Sequence, residues 1–67
     1  MHKLFSSRYI IAVLQQHGFI LASQKGSHKK FRRNQNIVIV PDPKKEIPRG
    51  TFNSILRQAG LAKEAFE

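Results

Sequence analysis

The stretch HKKFRRNQNIVIV, residues 28–40, decides the fold of this chain. IVIV (37–40) is an unbroken β-branched run and the clearest strand in the sequence. NQN (34–36) supplies residues that tolerate turn geometry, and HKKFRR (28–33) ahead of it reads as a second extended segment. Two strands joined so tightly pair antiparallel. Toward the N-terminus, FILASQ (19–24) is apolar and β-prone, and Lys25-Gly26-Ser27 turns it into HKKFRR. Toward the C-terminus, Pro41 and Pro43 end the last strand, because proline gives no N–H to a ladder.

Helices flank this meander. Ser6 and Ser7 precede RYIIAVLQQHG, where Ile10, Val13, Leu14 and His17 recur at helical spacing and Gly18 provides a left-handed stop. After the proline-rich loop PDPKKEIPRG (41–50), Thr51 is expected to cap a second helix with Phe52, Ile55, Leu56 and Ala59 along one apolar stripe before Gly60. LAKEAFE (61–67) can add one more helical turn. The order helix, three strands, helix predicts an α+β protein: a two-layer α-β-β-β-α sandwich with a three-stranded antiparallel sheet, both helices on one face and the other face open. No repeat or low-complexity tract interrupts it, so residues 1–67 are expected to form a single domain.

Composition narrows the function. Twelve Lys and Arg against four Asp and Glu leave a formal charge of +8 on 67 residues, which favours a polyanionic partner through phosphate neutralisation and counterion release. There is no cysteine, which removes thiolate zinc sites and cysteine nucleophiles. No apolar run reaches the roughly 18 residues of a membrane span, and the N-terminus lacks the apolar core of a signal peptide, so a soluble intracellular protein is expected. Two-metal nuclease chemistry needs clustered carboxylates, whereas Asp42, Glu46, Glu64 and Glu67 are scattered. His2, His17 and His28 have no metal-ligand spacing, and neither a P-loop nor a dinucleotide fingerprint is present. No metal and no cofactor is expected.

The candidate site is KGSHKKFRR, residues 25–33. On a strand of period two, Phe31 seeks the core together with Lys29 and Arg33, which sends His28, Lys30 and Arg32 to the open face. Gly26 lets a ligand approach the backbone closely, and the amides of Gly26 and Ser27 can donate to a phosphate. An imidazole beside phosphate-binding cations suits RNA cleavage: it can take the proton of a ribose 2′-hydroxyl or protonate the leaving 5′ oxygen. Lys29, Lys30 or Arg32 would stabilise the phosphorane charge. Arg33 is a further candidate for RNA, and Lys44, Lys45 and Arg49 precede the second helix, where phosphate can meet a helix N-terminus. His17 reads as a residue satisfying the end of the first helix, and His2 carries no assignment.

These segments resemble a known family. A helix ending in HGF, then GSHKKF, IVIVP and RGTFNSILRQAG, is similar from about Leu4 to Leu61 to the HicA family of toxins, small mRNA interferases of bacterial type II toxin–antitoxin pairs. The resemblance implies a double-stranded-RNA-binding-domain-like fold, cleavage of mRNA through the histidine of the Gly-Ser-His motif, here His28, and inhibition by a cognate HicB-like antitoxin protein. It also implies a free toxin that is monomeric and acts in the bacterial cytoplasm, arresting translation as part of a stress response. One position departs from the pattern: many relatives carry a second histidine where this chain has Pro43. Any help that histidine gives would have to come from Asp42, Lys44 or Lys45. The alternative function is a noncatalytic RNA-binding module of the same fold.

Overall fold

Burial of Phe31 organises the sheet. The structure is a computed structural model that describes residues 3–67, so His2 lies outside the described residues. Its elements are α1 (Ser7–Gln16), β1 (Ile20–Lys25), β2 (His28–Arg33), β3 (Asn36–Pro41) and α2 (Arg49–Ala59), followed by a 3₁₀ turn at Lys63–Phe66. The strands form an antiparallel meander, β1-β2-β3, with β2 in the middle. Phe31 pairs with Leu21 on one side and Val38 on the other, which brings Phe31, Val38 and Val40 onto one face.

Both helices cover that face, as the helix–strand–helix order predicts. Ile10, Val13 and Leu14 of α1 and Ile55 and Ala59 of α2 join the three strand residues in one buried cluster with Phe19, Ile47 and Phe66. The helices meet the sheet principally at β3, and all six residues of β1 are exposed. A register shift between Leu21 and Ser23 bends β1 at its unpaired edge.

Each helix end has a local cause. Ser6 adopts extended backbone and its hydroxyl accepts from Tyr9 N–H, while Ser7 N–H donates to the Lys44 carbonyl at 2.9 Å, so two of the orphan donors of α1 are satisfied. Gly18, at φ 90°, reverses the chain after α1 as expected. The start of α2 differs from expectation. It begins at Arg49, with Pro48 at the N-cap and Thr51 inside the first turn. Pro48 has φ already near the helical value and no N–H to leave unsatisfied, and its carbonyl accepts the first helical bond from Phe52 N–H at 2.9 Å, so no side-chain cap is used.

The C-terminal turn completes the core. Phe66 is fully buried and meets Phe52 edge-on at 5.1 Å between ring centroids, and Phe5 stacks on Tyr9 at 5.0 Å and meets Phe52 at 5.3 Å. Tyr9 Oη donates to the Phe66 carbonyl at 2.6 Å. The segment 61–67 therefore does more than extend a helix: it seals the gap between α1 and α2. Phe66→Ala removes a fully enclosed ring from a small core and is expected to lower stability by about 3–5 kcal/mol, read as a fall in the urea midpoint.

Candidate functional site

The hairpin β1–β2 places His28. Lys25 and His28 face each other across a two-residue turn, Gly26-Ser27. Gly26 has φ 58°, a value that glycine adopts without strain, and a side chain grown there would meet nothing within 4 Å. The turn is thus tight in backbone and open in front. His28 begins β2 on the exposed side, as alternation predicts.

Register defines the whole open face. Paired residues share a face in an antiparallel sheet, so His28 lies between Lys25 and Pro41, Lys30 between Ser23 and Ile39, and Arg32 between Ile20 and Ile37. His28, Lys30 and Arg32 follow one another at roughly 6.6 Å. Around Arg32 the face is apolar, with Ile20 68% and Ile37 39% exposed. None of these nine residues is an acid, so the face presents three fixed cations and one imidazole with no neutralising charge. Lys25 belongs to this group although the motif reading passed over it. The sequence reading placed Lys25 in the turn, whereas the turn is only Gly26-Ser27 and Lys25 ends β1, paired with His28.

The other candidates fall into three places. Lys29 lies on the helix-covered side, half-buried, with Nζ 2.7 Å from Asp42 Oδ2. Ser7, buried at the start of α1, donates its hydroxyl to Asp42 Oδ1 at 2.6 Å and accepts from Lys44 N–H at 2.9 Å. These groups line a groove with Arg8, Gln15, Pro43, Lys44 and Lys45. Arg33 is engaged elsewhere: its Nη1 donates to the His17 carbonyl at 2.8 Å and its guanidinium lies 4.7 Å from the centre of the Phe19 ring. Arg49 opens onto a separate groove beside Lys3, Phe5 and Lys63. His17 donates from Nδ1 to the Val13 carbonyl at 2.9 Å, within its own helix end.

The hydrogen bond from Lys29, and then that from Ser7, holds the Asp42 carboxyl below its ordinary value of 3.8. Asp42 is therefore a fixed anion near neutrality. Its role as a partner for Ser7 has no signature in the sequence, since 35 residues separate the two. Among the described residues no three His, Cys, Asp or Glu side chains gather as a metal site would require, and no helix is long and apolar enough to cross a membrane.

The family described as HicA toxin of bacterial toxin-antitoxin matches the chain over residues 7–61, from the first residue of α1 to just past α2. No curated protein matches the chain at a significant level.

Arg32 and Arg33 are neighbours with different expected roles. Arg33→Ala should cost about 1–3 kcal/mol of stability, because a partly buried carbonyl loses a charged donor and Phe19 loses its cation. Arg32→Ala should leave the denaturation midpoint within about 0.5 kcal/mol of the parent. For Asp42 the sign of the pH effect follows from its lowered pKa. Its contribution to stability is complete above the ordinary value of 3.8 and is lost as pH falls through the lower folded-state value. In urea titrations the parent's advantage over Asp42→Asn should be full near neutral pH and shrink as the pH falls below 3.8.

Proposed function

The chain belongs to the HicA toxin family of bacterial toxin–antitoxin systems, and from that membership we propose that it is an endoribonuclease that cleaves mRNA, arrests translation and is inhibited by a cognate HicB-like antitoxin. The observation that carries the reading is His28 at the end of an acid-free row of cations on an uncovered sheet face. RNA phosphates approaching that face meet Lys25, Lys30 and Arg32 on either side of and beyond the imidazole, together with the N–H groups of the Gly26-Ser27 turn. Strand spacing makes the cations a track for several phosphates of one RNA strand.

In this mechanism the neutral His28 imidazole takes the proton of the ribose 2′-hydroxyl while the 2′ oxygen attacks the adjacent phosphorus. The P–O5′ bond breaks, and the leaving oxygen takes a proton from the His28 imidazolium, directly or through a water molecule, which forms the 5′-hydroxyl and restores the neutral imidazole. Lys30 and Arg32 neutralise the charge that builds on the phosphorane. Lys29, bonded to Asp42 on the other side of the strand, is given no part in that task in this scheme. No metal enters the scheme. One imidazole cannot be both base and acid at full efficiency, and Pro43 offers no proton, so a slow enzyme is expected, with each proton transfer worth on the order of 10² to 10⁴ in rate.

Lys44 and Lys45, on the groove beside α1, extend the positive surface past the end of β3 and are assigned to phosphates flanking the cut. Arg49 lies on another groove and would contact RNA only if the substrate wraps that far.

The test is incubation of the parent and His28→Ala with a structured mRNA in excess EDTA. The parent should produce 5′-hydroxyl and 2′,3′-cyclic phosphate ends, and His28→Ala should lose cleavage while keeping salt-sensitive binding. If neither cuts and both bind, the protein is a noncatalytic RNA-binding module.

A further inference from the structure

The Lys29–Asp42 pair is the only ion pair among the described residues, and it sits on the reverse side of the strand that carries His28. Its place at the end of the sheet suggests what it does. His28 lies opposite Pro41 in a pair that exchanges no ladder hydrogen bond, because residues 39 and 41 face the free edge of β3, where Ile39 N–H donates to Gln58. The next rung, one residue beyond both strands, is Asp42 N–H to the Ser27 carbonyl at 2.8 Å. That rung is the tie between β3 and the turn that presents the imidazole. Beyond it the chain leaves the sheet as the loop 42–48.

A terminal rung next to a loop frays unless something holds the loop residue. Here Asp42 is held from two elements at once: Lys29 of β2 on Oδ2, and Ser7 of α1 on Oδ1. Ser7 is itself fixed, because its N–H donates to the Lys44 carbonyl and its hydroxyl accepts from Lys44 N–H. The N-terminus of α1 thus clamps residues 42 and 44, on both sides of Pro43.

We propose that Asp42 is a positioning residue for His28: clamped by Ser7 and Lys29, it keeps its own N–H on the Ser27 carbonyl and so holds the turn that aims the imidazole. This rests on the reading of His28 as the catalytic group. Asp42 then acts through geometry, touching neither RNA nor the transferred proton, and Ser7 and Lys29 serve the active site from the far side of the sheet. A small misplacement of a reacting group costs up to about 10²-fold in rate, which sets the scale of the effect.

Asp42→Ala should lower kcat about 10- to 100-fold and change KM for RNA less than about threefold, because no phosphate contact is removed. Asp42→Asn keeps an acceptor for Ser7 and should retain more activity than Asp42→Ala. Equal losses in the two variants would indicate that the carboxylate works as a charge or proton carrier, and would overturn the proposal; so would an unchanged kcat in Asp42→Ala. Ser7→Ala supplies an independent readout by NMR. The Asp42 amide should exchange at least about tenfold faster with solvent, and the His28 ring resonances should shift, while amides of the Phe31–Val38 region stay protected. An Asp42 amide and a His28 ring both unaffected by Ser7→Ala would refute the coupling. A parent that does not cleave defeats the catalytic assignment of His28 and the catalytic half of this proposal, whereas the exchange experiment still decides the coupling.

Discussion

Phe31 sits in the middle of the middle strand at 1% exposure, and its burial determines where every other side chain of β2 points. A slip of one residue would put Lys30 or Arg32 among Ile10, Leu14 and Ile55, where an unpaired cation is prohibitively costly. Register is therefore strongly specified. Once Phe31 is inside, His28, Lys30 and Arg32 are outside on the opposite face, and the basic surface follows from a packing constraint. Val38, the neighbour of Phe31 on β3, is fully buried and carries the same constraint to that strand, whereas Leu21, its neighbour on β1, stays half exposed.

The same strand serves two purposes because its two faces have different partners. On the covered side Lys29 and Arg33 spend their charge on Asp42 and on the end of α1. On the open side no carboxylate answers Lys25, Lys30 or Arg32. A net charge of +8 would be a diffuse property if all twelve cations were equivalent. Internal pairing of two of them in β2, combined with the placement of acids elsewhere, leaves the open face as the part of the sheet with uncompensated charge. That asymmetry agrees with a polyanion approaching from the open side and steers it there over about a Debye length.

A chain of this size has little core to spend on rigidity, and the structure compensates at its seams. The loop 42–48 is tied to α1 through Ser7 and Lys44, and to the N-terminal segment through Ile47 N–H on the Phe5 carbonyl at 2.7 Å. Tyr9 and Phe66 close the opposite side with an aromatic corner. Asn36 reaches the end of α2 by donating to the Gln58 carbonyl, and Gln58 in turn accepts from Ile39 N–H, which covers part of the free edge of β3. The β1 edge has no such cover, and its bend between Leu21 and Ser23 is what the strand offers against edge-to-edge pairing.

Features that depend on near neighbours along the chain could be read before any fold was known. The β-branched run at 37–40, the glycine of the Lys25-Gly26-Ser27 segment, the serines at the start of α1 and the stripe Ile55–Leu56–Ala59 each state a local preference, and together they specify helix, meander, helix and the outward face of His28. The local rules misplaced the start of α2 at Thr51, because a side-chain cap was sought where Pro48, with its fixed φ and its carbonyl on Phe52 N–H, starts the helix without one. Tertiary structure alone decided which cations are free. Whether Lys29 meets Asp42, whether Arg33 meets the His17 carbonyl, and whether Arg49 shares a groove with Lys44 depends on elements brought together across the fold. So does the clamp of Ser7 on Asp42, which joins residues 35 apart in sequence. A charge carries no periodicity that names its partner, and so the basic motif could be read from the chain while the division of labour within it could not.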